Sequence, residues 1–506
     1  MKRTYTPFIS GHFLSPCFQR HAITNPANNI IEEDCCYATH SDVISAVDSA
    51  RKAFKDWSET PIEQRASIIN KAADLLVKDQ GKIGDLIMTD IMQRIVTEMG
   101  KSVHEAEMEI FETADCLRYF ANEGSLALKD EIIEVDQSIW PDKSCVIRRK
   151  PLGVVAIIKP WNYPLEIPAW SIGAALISGN TVVFKPSEIT PGVGCFLAEL
   201  FTLAGIPSGV LNVLTGADRV GAWLLDEQID LISFTGSNAV GKKIERKCSQ
   251  KGIPCVLELG GKDAAIICED ANVDRSVKGS IWGGLCNCGQ VCVGSERYYV
   301  HESIYDDFLK KSTDLISSLV IGNGINPNTD LTCLVSESQL KSVEAQICDA
   351  VRHGATIVYG GKRASVKDQD NKGSLFYEPT IVTNVSDSMK LWTSETFGPI
   401  IAIQKYSDEN DMISKVNASQ FGLGASIWTT DMERATRISK QLDVGMVWIN
   451  DVNICIPQCP WGGVKSSGRG RDLSKYSLYE YTTIQHIMYD NSDYSQPWWF
   501  PYYKET

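Results

Sequence analysis

The chain has 506 residues and a net charge of −14, from 49 Lys and Arg against 63 Asp and Glu. At roughly 150 residues per domain the length implies about three domains. The composition, 43% hydrophobic and 22% charged, is that of a globular chain able to bury a large core. The acidic excess argues against nucleic acid or an anionic membrane surface as a partner, since both need a basic face.

No run approaches the roughly 18 uninterrupted apolar residues of a membrane span. The N-terminal MKRTYTPFISGHF lacks the apolar stretch of a secretory signal. The 16 scattered cysteines then read as reduced thiols in the cytoplasm, not as a disulfide framework.

The first third is predicted to be mostly helical. Val43, Ala46, Val47, Ala50 and Phe54 recur at helical spacing. Thr60-Pro61-Ile62-Glu63 has the pattern of a capping box that starts a further helix, with helical structure continuing to about Asn122. Residues 126–150 change to alternating Ile and Val around Trp140-Pro141-Asp142, the pattern of two strands in a projecting arm. From Gly153 the chain alternates. The β-rich runs Val154–Ile158, Thr181–Phe184, Val210–Leu214 and Leu231–Phe234 are separated by the helical stretches Ala169–Leu176, Gly192–Ala204 and Val220–Glu227. Such alternation predicts a parallel sheet with crossover helices, and a second alternating region runs from Val256 to Trp461. The tail from Asp493 to Tyr503 is aromatic, and it is expected to pack on its own subunit or on a neighbour.

Cys292 stands in NCGQVCVGSER, on a glycine-flanked stretch that a substrate can reach. A thiolate there adds readily to an aldehyde carbon. The plainer reading is a small buried hydrophobe. A metal site with Cys286 and Cys288 has no second Cys/His cluster to complete it, so no metal is expected. Glu258, in VLELGGKDAA, lies between two leucines, an apolar setting that raises a carboxyl pKa and makes a base for neutral pH. Its alternative is a strand residue facing water. Asn162, in KPWNYPLEIP, is held between prolines where its amide can donate to an oxyanion, although an Asn in a turn is common. Phe234-Thr235-Gly236-Ser237-Asn238-Ala239-Val240-Gly241 follows a strand and opens a helix, a place suited to a pyrophosphate. Lys185-Pro186-Ser187-Glu188 follows another strand. A carboxylate at Glu188 accepts from both ribose hydroxyls and repels a 2′-phosphate, which favours NAD over NADP.

Taken together and in this order, PWNYP, KPSE, FTGS, LELGGK, GQVC, ETFGP and PWGG make the chain resemble the aldehyde dehydrogenase superfamily over nearly its whole length. The resemblance implies two Rossmann-like α/β domains with a β-strand oligomerisation arm. The NAD-binding domain would take residues 1–125 and 149–257, the catalytic domain 258–466, and the arm and tail 126–148 and 467–506. It implies Cys292 as nucleophile, Glu258 as the base for a deacylating water, and Asn162 with the Cys292 amide as the oxyanion hole. Lys185 and Glu188 would hold the adenosine ribose, Ser237 a phosphate, and Glu395 and Phe397 the nicotinamide end. Ile158, Lys159, Pro160, Trp161, Gly216, Phe234, Gly236, Val240, Gly241 and Leu259 would complete the cofactor contacts. A homodimer or homotetramer is expected through the arm.

Within the family the resemblance is to betaine aldehyde and ω-aminoaldehyde dehydrogenases, on Tyr163, Trp170 and Trp461, with Cys455 and Met446 beside them. Their rings would surround a cationic substrate. Glu105, Glu109 and Glu112 fall on one helix face, read here as a solvated acidic face. Two departures stand out. The family usually has Lys where Ser171 stands and Glu where Asp472 stands, so both partners of a proton relay are changed together. Residues 87–97 look about eight longer than in relatives, a spacing read against the expected length of the connection. The rival readings are a general aldehyde dehydrogenase, a thiol esterase that needs no NAD, and a non-enzymatic binding protein on the same fold.

Overall fold

The computed structural model describes residues 2–77, 82–366, 374–496 and 498–500. Ahead of the first helix, residues 4–35 form five short strands, Thr4–Tyr5, Phe8–Ile9, His12–Phe13, His21–Asn25 and Ile30–Cys35. Three of them are two residues long and carry no readable period. The helices His40–Glu59, Ile62–Val77, Lys82–Met99 and Val103–Ala127 follow. The capping box read at Thr60 does not form, because the Thr60 hydroxyl donates back to the Asp56 carbonyl at 2.9 Å. Such boxes occur instead at Thr39 with Asp42 and at Ser102 with Glu105. The long stretch 87–97 belongs to the Lys82–Met99 helix, which buries Ile91, Ile95 and Val96. At its end Glu98 accepts the Gly192 and Val193 amides at 3.0 and 3.2 Å, and so caps the Pro191–Ala204 helix.

The first large sheet has eight strands in the order Gly468–Arg469, Cys255–Glu258, Leu231–Thr235, Val154–Ile158, Thr181–Lys185, Leu211–Val213, Phe8–Ile9, His12–Phe13. Its five central strands are parallel. They are rich in Val, Ile and Phe, as strands covered by helices on both faces must be. The register aligns Ile158 with Lys185 and Phe234, and Thr235 with Glu258, so these residues share the carboxyl edge. Chain order reverses at Val154–Ile158, and ligands of open α/β sheets bind beyond such a reversal.

The second sheet has seven strands in the order Thr356–Tyr359, Thr380–Thr383, Ile400–Tyr406, Ser295–His301, Asp263–Ile267, Gly424–Trp428, Met446–Ile449. All but the first pair are parallel. A third, antiparallel sheet joins Glu131–Ile133, Lys143–Pro151 and Thr482–Asp490. The C-terminal strand of this sheet begins at Thr482, where the arm's strand is expected. Before it, Gly468–Arg469 pairs with Leu257–Glu258 of the first sheet, and Leu478 and Tyr481 are core residues. Trp498 of the tail meets Trp140 edge-on at 6.2 Å, while Trp499 and Phe500 stay exposed. Pro497, Tyr502 and Tyr503 lie outside the described residues. Among the described residues no helix is long and apolar enough to cross a membrane.

Candidate active site

Cys292 sits in the loop between a tight turn at Cys286–Gly289 and the Ser295–His301 strand. The turn holds Asn287 and Cys288 in the left-handed region, with φ of 49° and 57°. Asn tolerates that conformation, and its amide is used here to join two loops. Asn287 Nδ2 donates to the Asn162 carbonyl at 3.0 Å and to the Gln290 carbonyl at 3.2 Å. Asn162 Nδ2 donates to the same Gln290 carbonyl at 3.1 Å. The PWNYP loop is thus tied to the cysteine loop, and Asn162 and Cys292 line one cavity.

Two glycine pairs follow from what packs against them. A Cβ at Gly261 would stand 2.3 Å from the Cys292 carbonyl oxygen, and one at Gly260 would stand 2.6 Å from a Glu395 carboxylate oxygen. LELGGK therefore passes between the nucleophile loop and ETFGP with no room for a side chain. A Cβ at Gly462 of PWGG would stand 2.5 Å from Glu258 Oε1.

Cys292 faces two cavities. One is lined by Pro160, Trp161, Asn162, Thr235, Gly236, Ser237, Leu259, Glu395 and Phe397. Phe397 takes φ of 54°, and Trp161 meets it edge-on at 5.6 Å. Their loop is held by Glu296, which accepts the Thr396 and Phe397 amides and pairs with buried Lys262. The Glu395 carboxylate accepts the Gly261 amide, and its carboxyl is pushed up to about 8 by burial with Glu296 nearby. Gln339 holds the carbonyls of Thr396 and Phe397. Lys262, Glu296 and Gln339 do not stand out in the sequence, although LELGGK ends in Lys262 and NCGQVCVGSER contains Glu296.

Ile158, Lys185, Glu188, Gly216, Phe234, Val240 and Gly241 do not line that cavity. They gather at the carboxyl edge of the first sheet and at the start of the Asn238–Lys251 helix. Lys185 Nζ lies 2.9 Å from the Pro186 carbonyl and 3.8 Å from Glu188. Ser237 caps the helix by accepting the Val240 amide, which leaves its hydroxyl proton to donate. Gly216 and Gly236, at φ of 148° and 157°, keep the strand ends open. A cation and a carboxylate at one end, a capped helix start in the middle and an aromatic–carboxylate pair at the other end fit an extended dinucleotide. Lys159 departs from the expected cofactor set. Its side chain is fully buried away from the cavity, 3.3 Å from Asp472 and 2.9 Å from the Thr235 hydroxyl. The Ser171 hydroxyl lies 3.2 Å from the other Asp472 oxygen and 3.0 Å from Ser233. An ammonium thus still meets this carboxylate, but it comes from residue 159.

The second cavity is lined by Tyr163, Ile167, Trp170, Cys286, Cys455 and Trp461, and by Glu105, Glu109, Glu112 and Glu166. Trp170 and Trp461 pack at 5.4 Å. The glutamates expected on a solvated face instead turn inward, and Glu109 is fully buried against Lys101 at 2.6 Å. Met446 is not among the lining residues. It packs half-buried against the core behind Trp461.

Glu258 is 4% exposed and neither oxygen has a partner. Burial holds its carboxyl well above the usual range, with Asp472 adding to the effect and Lys159 opposing it. Burial also raises the Cys292 thiol, helped by Asp263, Glu258 and Glu395. All 16 cysteines are unpaired, and among the described residues no cluster of His, Cys, Asp and Glu is set to hold a metal.

Residues 14–487 match the model of the aldehyde dehydrogenase family. The chain belongs to that family and is an oxidoreductase acting on aldehydes. It is 35% identical over 500 residues to betaine aldehyde dehydrogenase of Bacillus subtilis (strain 168), covering 98% of this chain and 99% of that one. It is 35% identical over 505 residues to a chloroplastic aminoaldehyde dehydrogenase of Arabidopsis thaliana, covering 97% of each. It is 37% identical over 488 residues to mitochondrial succinate-semialdehyde dehydrogenase of Rattus norvegicus, covering 95% of this chain and 90% of that one. Among solved structures, betaine aldehyde dehydrogenase from Staphylococcus aureus in complex with NAD+ superposes with a TM-score of 0.90 at 33% identity, covering 98% and 96% of the two chains.

Proposed function

We propose that the protein oxidises a cationic aldehyde, betaine aldehyde or an ω-aminoaldehyde, to its acid with NAD. The observation that carries this reading is the position of Cys292, which lines both the cavity walled by Trp161, Glu395 and Phe397 and the one walled by glutamates and aromatic rings. A thiol between two such spaces meets an aldehyde from one side and a cofactor from the other.

In this reading Cys292 Sγ bonds to the aldehyde carbon, and the Asn162 amide donates to the oxygen that becomes negative. When bound, NAD supplies the acceptor for the hydride and a positive ring charge beside the thiol. The resulting thioester stays on Cys292. Glu258 then takes a proton from water, whose oxygen displaces the sulfur and releases the acid. Its carboxyl, now packed beside Gly462, has to rotate toward the thioester to do so. Lys185 and Glu188 support NAD, because a carboxylate there disfavours a 2′-phosphate. A relative bearing a carboxylate on its aldehyde is a poor guide to this pocket, since the glutamates would repel such a substrate.

The chain is further proposed to work in the cytoplasm as a homodimer or homotetramer. Sixteen free thiols suit a reducing compartment. Ile132, Ile484, Met488 and Tyr489 are exposed on the small sheet, and its outer edges invite strands of another subunit.

Reduced-cofactor formation with NAD or NADP, measured across cationic, neutral and anionic aldehydes of one length, tests the reading. Cationic aldehydes with NAD should show kcat/KM at least about 10-fold above the neutral ones, the scale of a desolvated cation–π contact. Equal or better neutral aldehydes would make this a general aldehyde dehydrogenase.

A further inference from the structure

Four carboxylates line the substrate-side cavity, but they are not equally committed. Glu105 closes the capping box with Ser102 and accepts the Asn287 amide at 2.5 Å. Glu109 is ion-paired with Lys101 and accepts the Leu165 and Glu166 amides at 2.8 and 3.2 Å. Lys101, so engaged, also lies 3.4 Å over the Tyr163 ring. Glu166 differs from these. It is 3% exposed, sits in the first turn of the Glu166–Ile177 helix, and its Oε1 has no partner. Half-buried Glu112 faces the same carboxyl. No Lys or Arg is among the residues lining the cavity. A buried acceptor without a donor is costly, and an ionised one more so. Burial, with Glu112 and Glu109 nearby, raises the Glu166 carboxyl well above the usual range, so the cavity holds a buried carboxyl oxygen that lacks a donor, one helix turn from Trp170.

We propose that Glu166, with Glu112 beside it, receives the N–H groups of a protonated amine, which makes aldehydes bearing a primary or secondary ammonium the preferred class and trimethylammonium aldehydes the poorer one. The inference rests on the reading of this cavity as the aldehyde entrance. A primary ammonium brings three donors, and the rings of Trp170, Trp461 and Tyr163 cover its methylene chain. A trimethylammonium has the same charge and satisfies the rings equally, but it brings no donor. It leaves Oε1 unpaired and sets methyl groups against it. The preference therefore comes from hydrogen bonding, not from charge.

The test compares two aldehydes of the same chain length, one ending in NH3+ and one in N(CH3)3+, with the neutral aldehyde as reference, by initial rates with NAD. In the native enzyme the primary ammonium should lead the trimethylammonium by roughly 10- to 100-fold in kcat/KM, the range of a hydrogen bond to a charged group. In Glu166→Leu that ratio should fall toward one, and in Glu166→Gln it should fall only part of the way. A reading that needs no variant uses the native enzyme with the neutral aldehyde. Butylammonium should inhibit it competitively at a concentration at least roughly 10-fold below butyltrimethylammonium. Equal treatment of the two cations, with both well ahead of the neutral aldehyde, overturns the inference while the cationic-substrate reading stands. A neutral aldehyde ahead of both cations overturns the two together.

Discussion

Cys292→Ala is expected to form no reduced cofactor with any aldehyde, a loss of about 10⁴-fold or more in kcat/KM, as for removal of other covalent nucleophiles. The size follows from position. Among the cysteines lining either cavity, Cys292 alone lines both, and Asn162 and Gly260 line the cofactor side with it, so no neighbouring thiol can substitute. Cys286 and Cys288 lie close in sequence, but Cys286 lines only the substrate-side cavity and Cys288 lines neither. The Ala variant should keep its thermal midpoint, because Cys292 is half-buried in a loop held by Asn287 and not by its own sulfur. Stopped assays of acid product, alongside optical assays of reduced cofactor, decide the matter. Retained turnover in the Ala variant would sink the thioester route. Acid formed by the native enzyme from an ester but never from an aldehyde would return the thiol esterase reading.

Glu258→Gln should separate the two halves of the reaction. Formation of the thioester uses Cys292 and Asn162. Its hydrolysis needs a base near the acyl carbon, and Glu258, buried beside Gly462, is proposed to become that base once it rotates toward the thioester. The variant is expected to release about one reduced cofactor per site in a rapid burst and then turn over about 10²- to 10⁴-fold more slowly, the usual worth of a positioned base. Since burial raises the Glu258 carboxyl, more of it is protonated at a given pH than an exposed glutamate would be. A base works only when deprotonated, so native kcat should rise with pH through a value above the ordinary carboxylate range. That limb should be missing from Glu258→Gln. Rapid-quench and stopped-flow traces over a pH series provide the check, and a variant with no burst and near-native turnover would rule out the role.

The parts legible in the sequence were those fixed by short-range rules. The runs at Val154–Ile158 and Leu231–Thr235 are mostly β-branched or aromatic because both faces are covered, and their turns are marked by Gly and Pro. The motif loops were legible because their glycines answer to specific contacts, as Gly260 and Gly261 do with Glu395 and Cys292. What escaped depends on partners far along the chain. Helical spacing put Glu105, Glu109 and Glu112 on one face, but only the docking of Glu166–Ile177 and of the Cys286–Gly289 turn makes that face a cavity wall. Thr60 fitted a capping pattern, yet its hydroxyl had a nearer acceptor in the Asp56 carbonyl. Three of the N-terminal strands are two residues long, too short for any period. Lys159 was read from its neighbours Pro160 and Trp161 as a cofactor residue, whereas its partner Asp472 lies 313 positions away.

That last pair constrains how this chain can be altered. Asp472 meets one ammonium, supplied here by Lys159, and accepts the Ser171 hydroxyl on its other oxygen. Restoring the family's usual lysine at position 171 by itself would crowd two buried cations onto one carboxylate. Removing Lys159 by itself would strand the carboxylate, at a cost of about 3–5 kcal/mol for a broken buried pair. Making both changes together exchanges one donor for another and should cost far less than the two separate losses combined. Residues 159 and 171 are therefore expected to be energetically coupled through Asp472, so that neither can be redesigned without the other.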